Sequence, residues 1–117
     1  MHELSIAQSM VDAVLEQTAT DRVVAVHLEL GKLSGVEVDS IRFCFDVVTR
    51  GTRLEGARLS IEQPAGQGRC RRCGTRFPVT SLLSECSCGS LDVELSSGDQ
   101  VRIRHVEVKR DVRDLRV

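Results

Sequence analysis

Cys70, Cys73, Cys86 and Cys88 are the residues of this 117-residue chain whose type and spacing most directly specify chemistry. In Cys70-Arg71-Arg72-Cys73-Gly74, two intervening residues let both sulfurs face one ion, and a glycine follows where the knuckle turns back. Cys86-Ser87-Cys88-Gly89 supplies the second half. Four thiolates around one zinc leave no position for a substrate, so the predicted site is structural. The second pair is C-x-C, a tighter loop than C-x-x-C, which leaves open a site completed by another residue. A disulfide or redox dithiol competes for the same cysteines and is disfavoured in a reducing compartment. Cys44, between Phe43 and Phe45, reads as a small buried hydrophobe.

Met1-His2-Glu3 offers a different donor set. A free Met1 amine, the His2 amide and the His2 imidazole form consecutive chelate rings. Such nitrogen-rich sets suit Ni(II) or Cu(II) in tetragonal or square-planar geometry. Glu3 can add an oxygen, its own amide or an orienting hydrogen bond. A terminal histidine that is merely solvated is the competing reading. His27 and His105 are the other imidazoles. His27 falls opposite the apolar stripe of its strand and is expected at the surface. His105 falls where the last strand changes phase, and is the candidate auxiliary ligand to such an ion.

The elements that must position these groups follow from periodicity. Ser5 and Gln8 stand in capping-box spacing, and Leu4, Ala7, Val11 and Val14 keep a helical period. They predict a helix from about Ser5 to Thr18, with Met1, His2 and Glu3 free outside its cap. Val24, Val26, Leu28 and Leu30 alternate with Ala25, His27 and Glu29, a half-buried strand. Val38, Ile41, Phe45 and Val48 predict a second helix over about Glu37–Arg50, stopped by Gly51. Ala57, Leu59 and Ile61 mark another strand. From Gln63, the residues Pro64, Gly66 and Gly68 read as loosened chain leading into the cysteines. A last strand spans Gln100–Lys109, where Val101 and Ile103 give way to Val106 and Val108; a bulge near Arg104 or His105 reconciles the phases. The residues after Lys109 read as a frayed, charged tail. The expected fold is α+β: a small three-stranded sheet with two helices, plus an inserted four-cysteine zinc-ribbon-like module.

Sixteen basic residues stand against 17 acidic ones, a net charge of -1, which argues against a protein dedicated to nucleic acid or membrane surfaces. Arg69, Arg71, Arg72 and Arg76 cluster in the cysteine module; a solvated face and a nucleic-acid-binding zinc ribbon both fit them. With three Phe and neither Trp nor Tyr, the core must come from Val, Leu and Ile, and base-stacking platforms are scarce. No signal peptide or membrane span is legible, so a cytoplasmic location is expected. No catalytic triad, paired carboxylates or phosphate-cradling loop is evident, so the chain is not expected to be an enzyme.

Several motifs occur together. Met1-His2-Glu3-Leu4-Ser5, Gly31-Lys32-Leu33-Ser34-Gly35-Val36 and Cys70-x-x-Cys73-Gly74 resemble the HypA/HybF family of hydrogenase maturation proteins. So do Phe77-Pro78, Cys88-Gly89-Ser90 and Val106-Glu107-Val108. The resemblance covers nearly the whole chain and departs from the family at the second cysteine pair, usually C-x-x-C. It implies a nickel metallochaperone with a nickel-binding α/β domain (1–64 and 96–117) and a zinc-binding domain (65–95). It also implies Ni2+ as the transported ion, bound by His2 and Glu3 at the N-terminus, and a structural Zn2+. The implied partners are the GTPase HypB, the hydrogenase large subunit or its assembly complex, and in some organisms urease accessory proteins.

Overall fold

The computed structural model describes residues 2–109. The elements run α1 (Glu3–Gln17), β1 (Arg22–Leu30), α2 (Val38–Thr49), β2 (Arg58–Glu62), β3 (Gly66–Cys70), β4 (Arg76–Val79), β5 (Val93–Ser97) and β6 (Val101–Lys109). They form two three-stranded sheets, ordered β2-β1-β6 and β4-β3-β5. The chain divides into two compact units: Met1–Leu28, Val36–Ser60 and Ile103–Val117 in one, Glu29–Gly35 and Ile61–Arg102 in the other. This is the expected α+β architecture, with the four cysteines in the second sheet's module.

In the first unit, α1 buries Ala7, Met10, Val11 and Val14, one face of a 3.6-residue period, and packs against α2, which buries Ile41, Phe45 and Thr49. The helix begins two residues before the expected start. His2 occupies the N-cap position, Glu3 is the first helical residue, and Ile6 N–H donates to the His2 carbonyl at 3.1 Å. The Ser5/Gln8 capping box does not form, because Gln8 donates instead to Asp12 along the exposed face. The far end of α1 has no basic residue in its last turn. Arg53 supplies that charge from the segment after α2, donating to the Leu15 carbonyl (2.8 Å), the Thr18 hydroxyl (3.0 Å) and the Asp21 carbonyl (2.8 Å).

Strand β1 is covered more fully than its alternation suggests. Val26, Leu28 and Leu30 are buried as expected, but so are Val23 and Ala25 on the opposite face, while Val24 is exposed. The strand is the middle one of its sheet, and the segment after α2 closes over its start: Val23 N–H donates to the Arg53 carbonyl and Leu54 is fully buried. On β6, Ile103 and Val106 are the half-buried positions, three apart where a regular strand would alternate.

In the second unit, Gly66 and Gly68 are strand residues, not loosened chain. They pair with Val79 and Phe77 of β4, and Gly68 pairs with Leu95 of β5. A Cβ at Gly68 would stand 2.7 Å from both Val79 Cγ2 and Val93 Cγ1, so only glycine lets the neighbouring side chains close over the central strand. The Gly31-to-Gly35 segment belongs here too: Gly31 N–H donates to the Gln100 carbonyl and Leu33 N–H to the Gly98 carbonyl. Within residues 61–102 the buried apolar side chains are Cys70, Val79 and Cys86, a small core.

Candidate metal centres

The cysteine cluster is built on two knuckles with a common closure. Strand β3 ends at Cys70, whose N–H donates to the Thr75 carbonyl, and Gly74 N–H returns to the Cys70 carbonyl at 2.8 Å. Before β5, Cys86 N–H donates to the Ser90 carbonyl, and Gly89 N–H returns to the Cys86 carbonyl, also at 2.8 Å. Gly74 and Gly89 have φ of 78° and 88°, the left-handed conformation each turn requires. Thus the glycine after the second cysteine closes onto the first in both knuckles, and the shorter C-x-C simply closes a tighter ring. All four sulfurs lie within 4.8 Å of one another. Sγ of Cys70 is 3.7 Å from Sγ of Cys88, and Sγ of Cys73 is 3.4 Å from Sγ of Cys86. Four sulfurs bonded to zinc at about 2.3 Å stand about 3.8 Å apart along each edge of a tetrahedron. The donor set therefore fits such an ion.

The thiols are not equivalent. Cys73 Sγ lies 3.1 Å from the Thr75 hydroxyl, which, with the Thr75 amide and the neighbouring Cys86, holds its pKa down at about 6. The Cys73 amide likewise lowers Cys70. For Cys88 the Ser90 amide pulls downward, but partial desolvation of the sulfur and the crowding thiols of Cys86, Cys70 and Cys73 push it up to about 11. Cys70 and Cys86 are buried, while Cys73 and Cys88 face solvent. Of the nearby arginines, Arg71 is committed to Asp92 (2.9 Å) and Glu94 (3.7 Å), and Arg69 sits opposite Glu94 in the sheet.

The N-terminal residues stand in an open cleft of about 640 Å³ lined by His2, Glu3, Leu4, Ser5, Asp39, Ser40, Phe43 and Cys44. Met1 lies outside the described residues. Because α1 starts at Glu3, the amides of His2 and Glu3 are among those an α-helix leaves without intrahelical partners. The Glu3 carboxylate accepts the Glu37 N–H at 3.1 Å. That bond, and one from its own amide, holds Glu3 below the usual carboxylate range. Sequence reasoning missed Asp39, which reaches the cleft from the first turn of α2. Its signal was the acidic residue at the start of a helix, indistinguishable in sequence from an ordinary favourable charge there. Cys44 is half-buried and lines the cleft; it is not the enclosed hydrophobe expected.

His105 stacks on His27, ring centroids 3.9 Å apart and planes 23° from parallel. His27 Nε2 is 2.6 Å from Glu107 Oε2, which also accepts from Arg58 at 3.2 Å. That company leaves His27 half-buried, where the surface was expected. Among the described residues, the four cysteines are the one group of three or more His, Cys, Asp or Glu side chains gathered closely enough for a single ion. No helix is long and apolar enough to cross a membrane.

Comparison with known proteins agrees with this arrangement. The family described as hydrogenase/urease nickel incorporation, metallochaperone, hypA matches residues 1–108. The hydrogenase maturation factor HypA of Geotalea daltonii is 48% identical over 109 residues, covering 92% of this chain and 99% of that protein. Its counterpart in Chlorobaculum tepidum is 44% identical over 113 residues, covering 93% and 100%. The fold matches the solution structure of the Ni metallochaperone HypA from Helicobacter pylori with a TM-score of 0.61 at 18% identity, over 92% of this chain and 97% of that one. A second HypA solution structure gives 0.64 at 20% identity, over 93% and 97%. The chain belongs to the HypA family, the non-catalytic nickel metallochaperones of hydrogenase maturation whose family description also includes urease.

Proposed function

We propose that this protein binds Ni(II) through the Met1 amine, the His2 imidazole and amide, and the backbone amide of Glu3, while Cys70, Cys73, Cys86 and Cys88 hold one structural Zn2+. The observation that carries the nickel reading is the position of His2 and Glu3 at the open start of α1, in a cleft shared with Asp39. The His2 imidazole and the helix-start amides, once deprotonated, are nitrogen donors of the kind Ni(II) prefers, with Asp39 an oxygen donor alongside. The positive end of the α1 dipole opposes a cation, so deprotonated amides and carboxylates must offset it. An ion held in that way in an open cleft is releasable, as a carrier requires. His105 enters as an auxiliary ligand by leaving its stack on His27.

The zinc reading rests on the fit of four sulfurs to a tetrahedral ion and on the small apolar core around them. In this account residues 1–64 and 96–117 form the nickel-binding domain and 65–95 the zinc-binding domain. The protein acts in the cytoplasm, where the GTPase HypB and the hydrogenase large subunit or its assembly complex receive or assist delivery, with urease accessory proteins as further partners. The competing reading, a zinc ribbon that grips nucleic acid through its arginines, is weakened by the commitment of Arg71 to Asp92 and Glu94.

Metal analysis of untagged protein before and after nickel loading tests both sites. One zinc per chain throughout and one added nickel is the expected result. Nickel that enters only as zinc leaves would overturn the two-site account.

A further inference from the structure

Two helices of the first unit begin without a side-chain cap of their own. For α2 the N-cap residue is Glu37, in extended conformation, and no side-chain cap bond forms there. In a capping box, a Glu or Gln three residues into the helix reaches back to the N-cap N–H. That position here is Ser40, whose side chain is too short for the task. The N–H of Glu37 is taken instead by Glu3 Oε2, 3.1 Å away, from the first residue of α1.

We infer that the Glu3 carboxylate is a positioning group, which caps α2 from α1 and thereby holds the nickel-binding chain start beside Asp39, and that it is not a donor to the ion. The inference rests on the N-terminal nickel reading above. Three observations support it. The cap joins α1 at its first residue to α2 at its N-cap, and the cleft is lined from both sides of that joint, by His2 on one and Asp39 and Ser40 on the other. The carboxylate accepts the Glu37 N–H, so moving that oxygen onto a metal would expose a helix start. The resulting negative charge at the α2 N-terminus is also favoured by that helix's dipole. Glu3 thus serves the cleft as an outer-shell group that orients ligands without touching the ion.

The test compares nickel titrations of untagged wild type, Glu3→Gln, Glu3→Ala and His2→Ala, each followed by the d–d absorption spectrum and by the Glu37 amide resonance. An amide oxygen can still accept the Glu37 N–H, whereas a methyl group cannot. Glu3→Gln should therefore keep near wild-type affinity, an unchanged spectrum and a wild-type Glu37 resonance. Glu3→Ala should shift that resonance and lose about tenfold or more in affinity, the range typical of outer-shell changes. Should Glu3→Ala fail to fold, Glu3→Asp, too short to span to Glu37, takes its place. If Glu3→Gln falls as far as Glu3→Ala with an altered spectrum, the carboxylate is a ligand and the inference is wrong. Wild-type binding in both Glu3 variants would overturn it equally. Wild-type binding by His2→Ala would instead remove the N-terminal site itself.

Discussion

Replacing Arg53 with Ala isolates a device that no local pattern announces. The guanidinium joins the Leu15 carbonyl, the Thr18 hydroxyl and the Asp21 carbonyl at 2.8, 3.0 and 2.8 Å, closing the end of α1 and the turn into β1. Hydrogen bonds to charged groups contribute about 1.5–3 kcal/mol each when isolated. These three share one half-buried side chain, and water can reach the carbonyls once it is gone, so their contributions do not add. A cation at a helix C-terminus in a partly buried setting contributes up to about 2 kcal/mol. The expected loss is therefore about 2–3 kcal/mol. At about 4–8 °C per kcal/mol for a domain of this size, melting of the first unit should fall by about 8–24 °C. Arg53→Lys, with one ammonium in place of a fork, should recover only part of this. Calorimetry, with zinc content measured in parallel, is the assay; zinc should stay bound, since its cysteines lie in the other unit. A loss under about 0.5 kcal/mol, the level of an ordinary surface change, would refute the reasoning.

Other expectations concern the metal module. Gly68→Ala forces a methyl group to within 2.7 Å of Val79 and Val93 and should cost about 1–3 kcal/mol, seen as faster zinc loss to a chelator. Cys88→Ser should abolish stoichiometric zinc and unfold the module; unchanged zinc content and stability would remove Cys88 from the ligand set. Zinc affinity should rise with pH through neutrality. Cys73, at about 6, has largely lost its proton there, while Cys88, at about 11, must release one when metal binds. Below about pH 6 Cys73 is protonated as well, and the decline should steepen, readable by competition with a zinc indicator.

What the sequence made legible was whatever a local pattern encodes. The two helices follow from the spacing of Ala7, Val11 and Val14 and of Ile41 and Phe45, and the cysteine knuckles follow from spacing and their glycines. The misreadings share a cause, which is contact between distant segments. Glycines 66 and 68 suggest loose chain until the neighbours that press on them are known, the Ser97 carbonyl and Leu33 at Gly66, Val79 and Val93 at Gly68. Ser-x-x-Gln resembles a cap and points to a start at Ser5, yet α1 extends to Glu3, whose carboxylate finds a partner 34 residues away in Glu37. Asp39 joins the cleft only because α2 packs on α1. The stacking of His105 on His27 likewise needs the β1–β6 pairing, which no single strand reveals.

The claim that nickel enters at the chain start is met most directly by one titration. Untagged protein, the same protein with a short N-terminal extension, and His2→Ala should be titrated with Ni(II) while zinc content is followed. An extension converts the Met1 amine into an amide, and His2→Ala removes the imidazole, leaving backbone donors that bind Ni(II) poorly until deprotonated. Nickel affinity should fall for the extended chain and fall further for His2→Ala, with zinc constant at one per chain in all three. Equal nickel affinity across the three proteins would contradict the N-terminal site.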